Sequence, residues 1–157
     1  MENELQTVEI RSLHVVHASE ICDLICNSDK DYYRYFTAFE CNQEVIADFL
    51  AKAKRDQYLG FFIRETLVGF FMLRGLDEGY KIPSYGVFIS KDFQSCGLAR
   101  LSVQYAISFC KLNRIEKLML KVHPLNTSAL KIYRDFGFVE TRIDPSNNNL
   151  VFYKDIF

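Results

Sequence analysis

The chain has no tryptophan, only three prolines and only seven glycines in 157 residues. So few chain breakers exclude a Pro/Gly-rich disordered polymer and leave no stretch that reads as a flexible linker. Long apolar runs are missing too. The longest, Leu67 to Leu73, has seven residues, far short of the ~20 a membrane-spanning helix needs. Neither sign of charge is in excess: 19 Lys and Arg face 20 Asp and Glu, a net charge of −1. Proteins that live on phosphate backbones usually carry a basic surplus, so nucleic acid is not an expected partner. The opening residues Met1-Glu2-Asn3-Glu4 are acidic and polar rather than a secretory signal, and the closing Lys154-Asp155-Ile156-Phe157 is no prenylation box. Without an export signal, the five cysteines are expected to be reduced thiols in a cytoplasmic protein.

What the chain does have is apolar residues at 49% and aromatics at 15%, namely 14 Phe and nine Tyr. This is globular composition, and the length suits one domain over 1–157 with a real core. Alternation over 8–13 predicts a first strand. Ser19 is a candidate cap for a helix to about Asn27, and Asn42 for a second carrying Val45, Ile46, Phe49 and Leu50 on one face. Runs 58–64 and 67–74 predict a hairpin, although the turn Arg64-Glu65-Thr66 lacks the usual Gly or Asn. Strand 85–89, helix 98–112 and strand 117–122 make a βαβ unit, which implies a parallel pair. Helix 126–136, with Gly137 just past its end, and strands 139–143 and 150–153 complete the order β-α-α-β-β-β-α-β-α-β-β. The expected fold is α/β: a mixed sheet of about seven strands with helices on both faces.

The most informative segment is Gln94-Ser95-Cys96-Gly97-Leu98-Ala99-Arg100, which follows a strand and opens a helix. The first N–H groups of a helix lack internal partners, and with the helix dipole they form an anion site. Small residues at Gly97 and Ala99 let a pyrophosphate approach the backbone. On residue type alone, a simple turn at Gly97 explains the segment equally well. No Gly-Lys-Ser/Thr tripeptide supports a P-loop, and a dinucleotide fingerprint would need three glycines after the first strand.

Helix 126–136 places Asn126, Ala129 and Tyr133 on one face, since seven residues are close to two turns. That face suits a polar ligand lying along the helix, or a buried Tyr whose hydroxyl finds a partner. The β-strand connection 75–84 is long and holds Asp77, Glu78 and Tyr80. A carboxylate there could take a proton from an attacking amine, or the loop could be a solvated acidic turn. The run Asp31-Tyr32-Tyr33-Arg34-Tyr35-Phe36 offers rings for stacking and a cation for phosphate, or simply core packing. Asn147-Asn148-Asn149 is a turn with polar contacts to offer. Cys22 and Cys26, with His14 and His17 nearby, could in principle hold zinc, but no Cys-x-x-Cys pair exists and helix spacing accounts for two buried thiols. No metal is expected. His123 is either a proton relay or a loop histidine.

Gln94-x-x-Gly97-x-Ala99, followed by Leu120-x-Val122-x-x-x-Asn126-x-x-Ala129-x-x-x-Tyr133-x-x-x-Gly137-Phe138, resembles the pattern of the GCN5-related N-acetyltransferases, and Gly69 also fits. The departures are Cys96, where a basic residue is common, and Lys91-Asp92 in place of a loop-opening proline. The resemblance implies acetyl-CoA bound between splayed strands 85–89 and 117–122. It implies contacts from Phe88, Ile89, Gln94, Ser95, Cys96, Gly97, Leu98, Ala99, Asn126, Ala129 and Tyr133. It also implies that Tyr133 protonates the departing CoA thiolate, a phenol of pKa about 10 donating to a thiol of about 8.5.

The acceptor implied is a primary amine, attacked directly in a ternary complex, with Glu78 or Asp77 as base and Tyr33, Arg34, Tyr80 and Tyr85 as substrate contacts. No cysteine has a conspicuous His partner, so a covalent intermediate is not expected. The stretch Leu73-Arg74-Gly75-Leu76-Asp77-Glu78-Gly79-Tyr80-Lys81-Ile82-Pro83-Ser84 is similar to acetyltransferases of bacterial surface-polysaccharide and nucleotide-sugar pathways. That similarity implies an amino-sugar acceptor. Alternatives are a protein N-terminal or lysine acetyltransferase, or a non-catalytic acyl-CoA-binding domain, against which an intact Tyr133 counts. The resemblance is compatible with a homodimer.

Overall fold

The computed structural model describes residues 4–36 and 38–157, and the side chains of Tyr32 and Tyr33 lie outside the described set. One seven-stranded sheet runs in the order β1-β2-β3-β4-β5-β7-β6. Its strands are β1 (Val8–Ser12), β2 (Gln57–Ile63), β3 (Thr66–Arg74), β4 (Ser84–Ile89), β5 (Lys117–Val122), β6 (Val139–Ile143) and β7 (Leu150–Asp155). Every pairing is antiparallel except β4 with β5. The helices are α1 (Ala18–Cys26), α2 (Lys30–Tyr33), α3 (Gln43–Lys52), α4 (Leu98–Leu112) and α5 (Thr127–Asp135). No helix among the described residues is long and apolar enough to cross a membrane.

Two separate cores show why helices flank both faces. Ile21 and Ile25 of α1 and Ile46 and Leu50 of α3 pack with Leu67, Phe70 and Met72 of β3. On the opposite face, Val103, Ala106 and Ile107 of α4 and Leu130 of α5 pack with Val68, Phe71 and Leu73 of the same strand. Residues of a regular strand alternate between faces, yet Leu67 and Phe70 share a face, as do Val68 and Phe71. The pairing explains it: Phe61 pairs with Gly69 and Phe62 with Leu67, so Val68 is the extra residue of a bulge.

Most elements stand where their signals put them. Asn42 caps α3 by accepting from the N–H groups of Glu44 and Val45, and α4 spans the residues its spacing predicts, ending against Asn113. Two local readings change, and the glycine-free hairpin turn finds its explanation. Ser19 lies inside α1, whose cap position is His17. The single-turn helix α2, capped by Asp29 accepting from Asp31 N, was not expected. The β2–β3 turn dispenses with glycine by holding Arg64 itself at φ 56°.

Cysteine chemistry also departs from expectation. Cys26 and Cys41 form a disulfide, so the thiols are not all reduced. Neither Cys22 nor Cys26 is a fully buried thiol. His17 Nδ1 accepts from His14 N, so that ring is engaged in the turn before α1, and the two histidines are not part of the thiol cluster.

Candidate active site

A cleft of about 1440 Å³ opens between β4 and β5. Only Ser84 with Met119 and Tyr85 with Leu120 pair across these strands. Beyond Tyr85 the two strands separate, and the cleft occupies the gap. Gly69, on neighbouring β3, permits the close strand approach that shapes this wall. A Cβ there would lie 2.8 Å from Ile89 Cδ1 and 3.0 Å from the Phe88 carbonyl oxygen.

The segment 94–100 closes one end of the gap. After a single 3-10 turn at Lys91–Phe93, Ser95 takes φ 63° and Gly97 takes φ 82° at the cap position of α4. No side chain caps this helix, so its first-turn N–H groups point outward as an anion site. A Cβ on Gly97 would meet nothing within 4 Å. The left-handed backbone requires glycine there, and the space in front is left open. Gln94, Ser95, Gly97, Leu98 and Ala99 all line the cleft, as do Phe88 and Ile89; Cys96 is exposed and is not part of the lining.

No cation stands at Cys96, and Arg100 follows one helical turn on. Arg100 lines the cleft and its Nη2 is 2.7 Å from Asp135 Oδ2, while Lys131 Nζ is 3.2 Å from the same oxygen. These two ion pairs hold the Asp135 carboxyl below its usual range, Arg100 first and Lys131 second. Sequence reading passed over both cations. The signal available was the i,i+4 pair Lys131 and Asp135 on α5; the partner on α4 is not visible without the fold.

Helix α5 forms the second wall. Asn126 caps it, accepting from Ala129 N at 3.4 Å. Asn126, Ala129 and Tyr133 all face the cleft. The Tyr133 ring is buried, edge-on to Tyr85 and to Phe138 at 6.0 Å each. Its hydroxyl has no protein hydrogen-bond partner among the described residues, and it is not a sealed-off orphan. Burial pushes its pKa well up. Tyr85 contrasts with it. The Ser102 hydroxyl donates to Ala99 O at 2.7 Å, so at 2.6 Å Tyr85 must donate to Ser102. Tyr85, expected to contact the acceptor, has its hydroxyl committed to the first turn of α4. Burial foremost, and then nearby Tyr133, raises its pKa.

The far end of the cleft is made by loops. Glu78 and Tyr80 line it, together with Asp31, Tyr35, Asn147 and Asn149. Asp77 is not with them. Its carboxylate accepts from the N–H groups of Lys54, Arg55 and Asp56 at 2.9, 2.7 and 3.2 Å, and its own N–H donates to Asp56 Oδ1. Those backbone donors, Lys54 first, hold its pKa below the usual range. Asp77 therefore latches the 75–83 loop to the α3–β2 connection, and Leu76, buried beside it, anchors the same loop. Arg34 also lies off the cleft, 2.6 Å from Tyr35 Oη with its guanidinium over the Tyr35 ring. Tyr33 falls outside the described side chains. The Tyr35 ring packs tilted against His123 with centroids 4.6 Å apart, joining the α2 segment to the β5–α5 loop across the cleft. The His123 Nδ1 accepts from Leu125 N, which leaves any proton on Nε2.

A family profile described as Acetyltransferase (GNAT) family matches residues 22–138. The chain belongs to this family of N-acetyltransferases. Among solved structures, a GNAT acetyltransferase from Streptococcus pneumoniae is 20% identical with a TM-score of 0.76, over 96% of this chain and 100% of that one. The PaiA N-acetyltransferase from Thermoplasma acidophilum, solved in complex with coenzyme A, is 18% identical with a TM-score of 0.80, over 95% and 99%. The ribosomal-protein-S5-alanine acetyltransferase from Vibrio fischeri is 13% identical with a TM-score of 0.77, over 97% of each chain. At these identities the likeness is one of fold. No curated protein matches the sequence.

Proposed function

We propose that this GNAT protein moves the acetyl group of acetyl-CoA to a primary amine of a small molecule, by direct attack in a ternary complex. The observation that carries the reading is Tyr133, whose unpartnered hydroxyl faces the gap between the splayed strands. The open α4 terminus lies at the same gap, with Arg100 and Lys131 beside it. The helix N–H groups and the two cations receive the pyrophosphate. Acetyl-CoA then runs along α5 past Asn126 and Ala129, with its sulfur toward Tyr133.

Glu78 is the base of this proposal, since it alone of the two expected carboxylates lines the cleft. It takes the proton of the ammonium. The amine lone pair then attacks the thioester carbonyl and the C–N bond forms; the nitrogen sheds its surplus proton to water, and as the C–S bond breaks the electron pair leaves on sulfur, which is protonated by water. Tyr133, kept a phenol by its raised pKa, donates to that sulfur. Full transfer to a thiolate whose conjugate acid is near ~8.5 is uphill from so weak an acid. Its contribution is therefore chiefly a hydrogen bond that strengthens as charge builds.

The acceptor end combines Glu78, the phenol of Tyr80 and the amides of Asn147 and Asn149. Rings and amides of this kind suit a hydroxyl-bearing amine, so an amino sugar is the proposed class. The test is a thiol-release assay with acetyl-CoA against nucleotide-linked amino sugars, N-terminal peptides, polyamines and aminoglycosides. Turnover confined to amino sugars supports the proposal. Turnover confined to peptides makes the protein a protein N-acetyltransferase, and CoA binding with no turnover makes it an acyl-CoA-binding module.

A further inference from the structure

Three sulfur atoms converge away from the cleft. Cys22 and Cys26 are one turn apart on α1, and Cys41 immediately precedes Asn42, the cap of α3. Cys22 Sγ lies 3.7 Å from Cys26 Sγ and 3.4 Å from Cys41 Sγ, and all three fall within 4.8 Å of one another. Cys41 Sγ also reaches the Cys22 carbonyl oxygen at 3.3 Å. None of the three lines the cleft.

The position of Cys22 decides between two uses of a third sulfur. A thiolate poised to attack a disulfide stands behind one sulfur, farther from the other by most of a bond length, about 2 Å. Cys22 is instead nearly equidistant from both, beside the bond. Three sulfurs around one point is the arrangement of a thiolate-bound metal. With Zn–S near ~2.3 Å, tetrahedral geometry sets sulfurs about 3.8 Å apart, close to both Cys22 separations. Cys26 and Cys41 are exposed, so a fourth position can be filled by water.

We infer that, once the Cys26–Cys41 bond is reduced, Cys22, Cys26 and Cys41 form a three-thiolate site for a soft d10 divalent cation such as zinc. A phosphine supplies the two electrons and becomes its oxide with oxygen from water, and the two cysteines gain the two hydrogens. Binding then displaces the thiol protons, and three S–metal bonds form. Disulfide and metal are alternative closures of the same segment. Residues 27–40 between Cys26 and Cys41 include Asp31, Tyr35 and Phe36, which line the acceptor end of the cleft. The metal is thus a fastening of that wall and takes no part in the chemistry, so its failure would leave the transferase reading untouched.

The test uses the full chain, reduced with a phosphine, freed of it without oxygen, and titrated with Zn²⁺ and separately with Co²⁺. One equivalent of zinc should bind against a chromogenic chelator. Cobalt should show thiolate-to-metal charge transfer with intense tetrahedral visible bands. Cys22→Ser and Cys41→Ser should each weaken zinc binding more than tenfold, whereas Cys110→Ala should leave it unchanged. If a serine variant fails to fold, the cobalt spectrum of the wild-type chain decides alone. No zinc uptake by the reduced chain, a cobalt spectrum without thiolate bands, or equal affinity in folded Cys22→Ser would overturn the inference.

Discussion

Arg100 Nη2 stands 2.7 Å from Asp135 Oδ2, tying the first turn of α4 to the last residue of α5 across the cleft mouth. The pair is half-exposed, so it adds little to stability at ordinary salt. Its value is positional: it aims a cation at the ground where the uncapped helix already favours an anion. Arg100→Met should raise the Kd for acetyl-CoA about tenfold at low ionic strength, roughly 1.4 kcal/mol. The loss should shrink at 0.5 M salt, where charges are screened. Calorimetric titration at two salt concentrations checks this, and a salt-independent loss would assign Arg100 to packing alone.

Gly97 gives a sharper contrast. Its φ of 82° makes any side chain cost about 1–2 kcal/mol, but no protein atom lies in the way. Gly97→Ala should lose part of the acetyl-CoA affinity, and Gly97→Asp on the order of 100-fold, about 2.7 kcal/mol. The aspartate adds charge repulsion to lost space. Circular dichroism should show both variants folded. Equal affinities in the two variants would remove the phosphate assignment.

Tyr133→Phe deletes a hydroxyl with no partner among the described residues, so it leaves no buried orphan among them. Stability and acetyl-CoA affinity should stay near wild type. Both kcat and kcat/KM should fall, on the order of 10²–10³-fold if the hydrogen bond is made only in the transition state. Because burial raises the phenol's pKa, the wild-type rate should show no loss of this donor on the alkaline side up to about pH 10. Pre-steady-state acetyl transfer at pH 7 and 9 is the measurement, and an unchanged chemical step in the variant would end the donor role.

Glu78 and Asp77 should separate cleanly although they are adjacent. Glu78→Gln should lower turnover most at low pH, where the amine is mostly protonated, with acetyl-CoA affinity intact. Asp77→Asn should act on stability, because its carboxylate accepts from three backbone N–H groups. Its pKa is held down in the folded state, so the stabilisation is full above the unfolded value of about 3.9 and is lost as pH falls below it. The melting difference between wild type and Asp77→Asn should therefore narrow between pH 5 and pH 3. A constant difference across that range would contradict the latch.

Local signals made α4 and the cap at Asn42 legible, because each rests on residues within a few positions. The helix start behind Gly97 was legible for the same reason, and the proposed anion-binding role of 94–99 rests on that start. What could not be read depends on distant partners. Nothing near Asp77 announces the Lys54–Asp56 backbone it binds, and nothing near Tyr85 announces Ser102. Cysteine pairing has no local code, so Cys41 could not be matched to α1. Helix α2 is one turn long, below what periodicity can resolve.

The bulge at Val68 has a consequence for how β3 can vary. Its two halves present their side chains in opposite phase, so the strand is read in two frames. Losing Val68 would bring the halves back into one phase: Leu67 and Phe70 would stand two apart and share the face of α1 and α3 by ordinary alternation, with Leu67 still opposite Phe62. What would go is the buried Val68 side chain on the α4 face and the local bend that the bulge gives the strand. A residue lost elsewhere in β3 would instead flip the segment beside it, so the bulge is where the length of this strand can change without turning a face over.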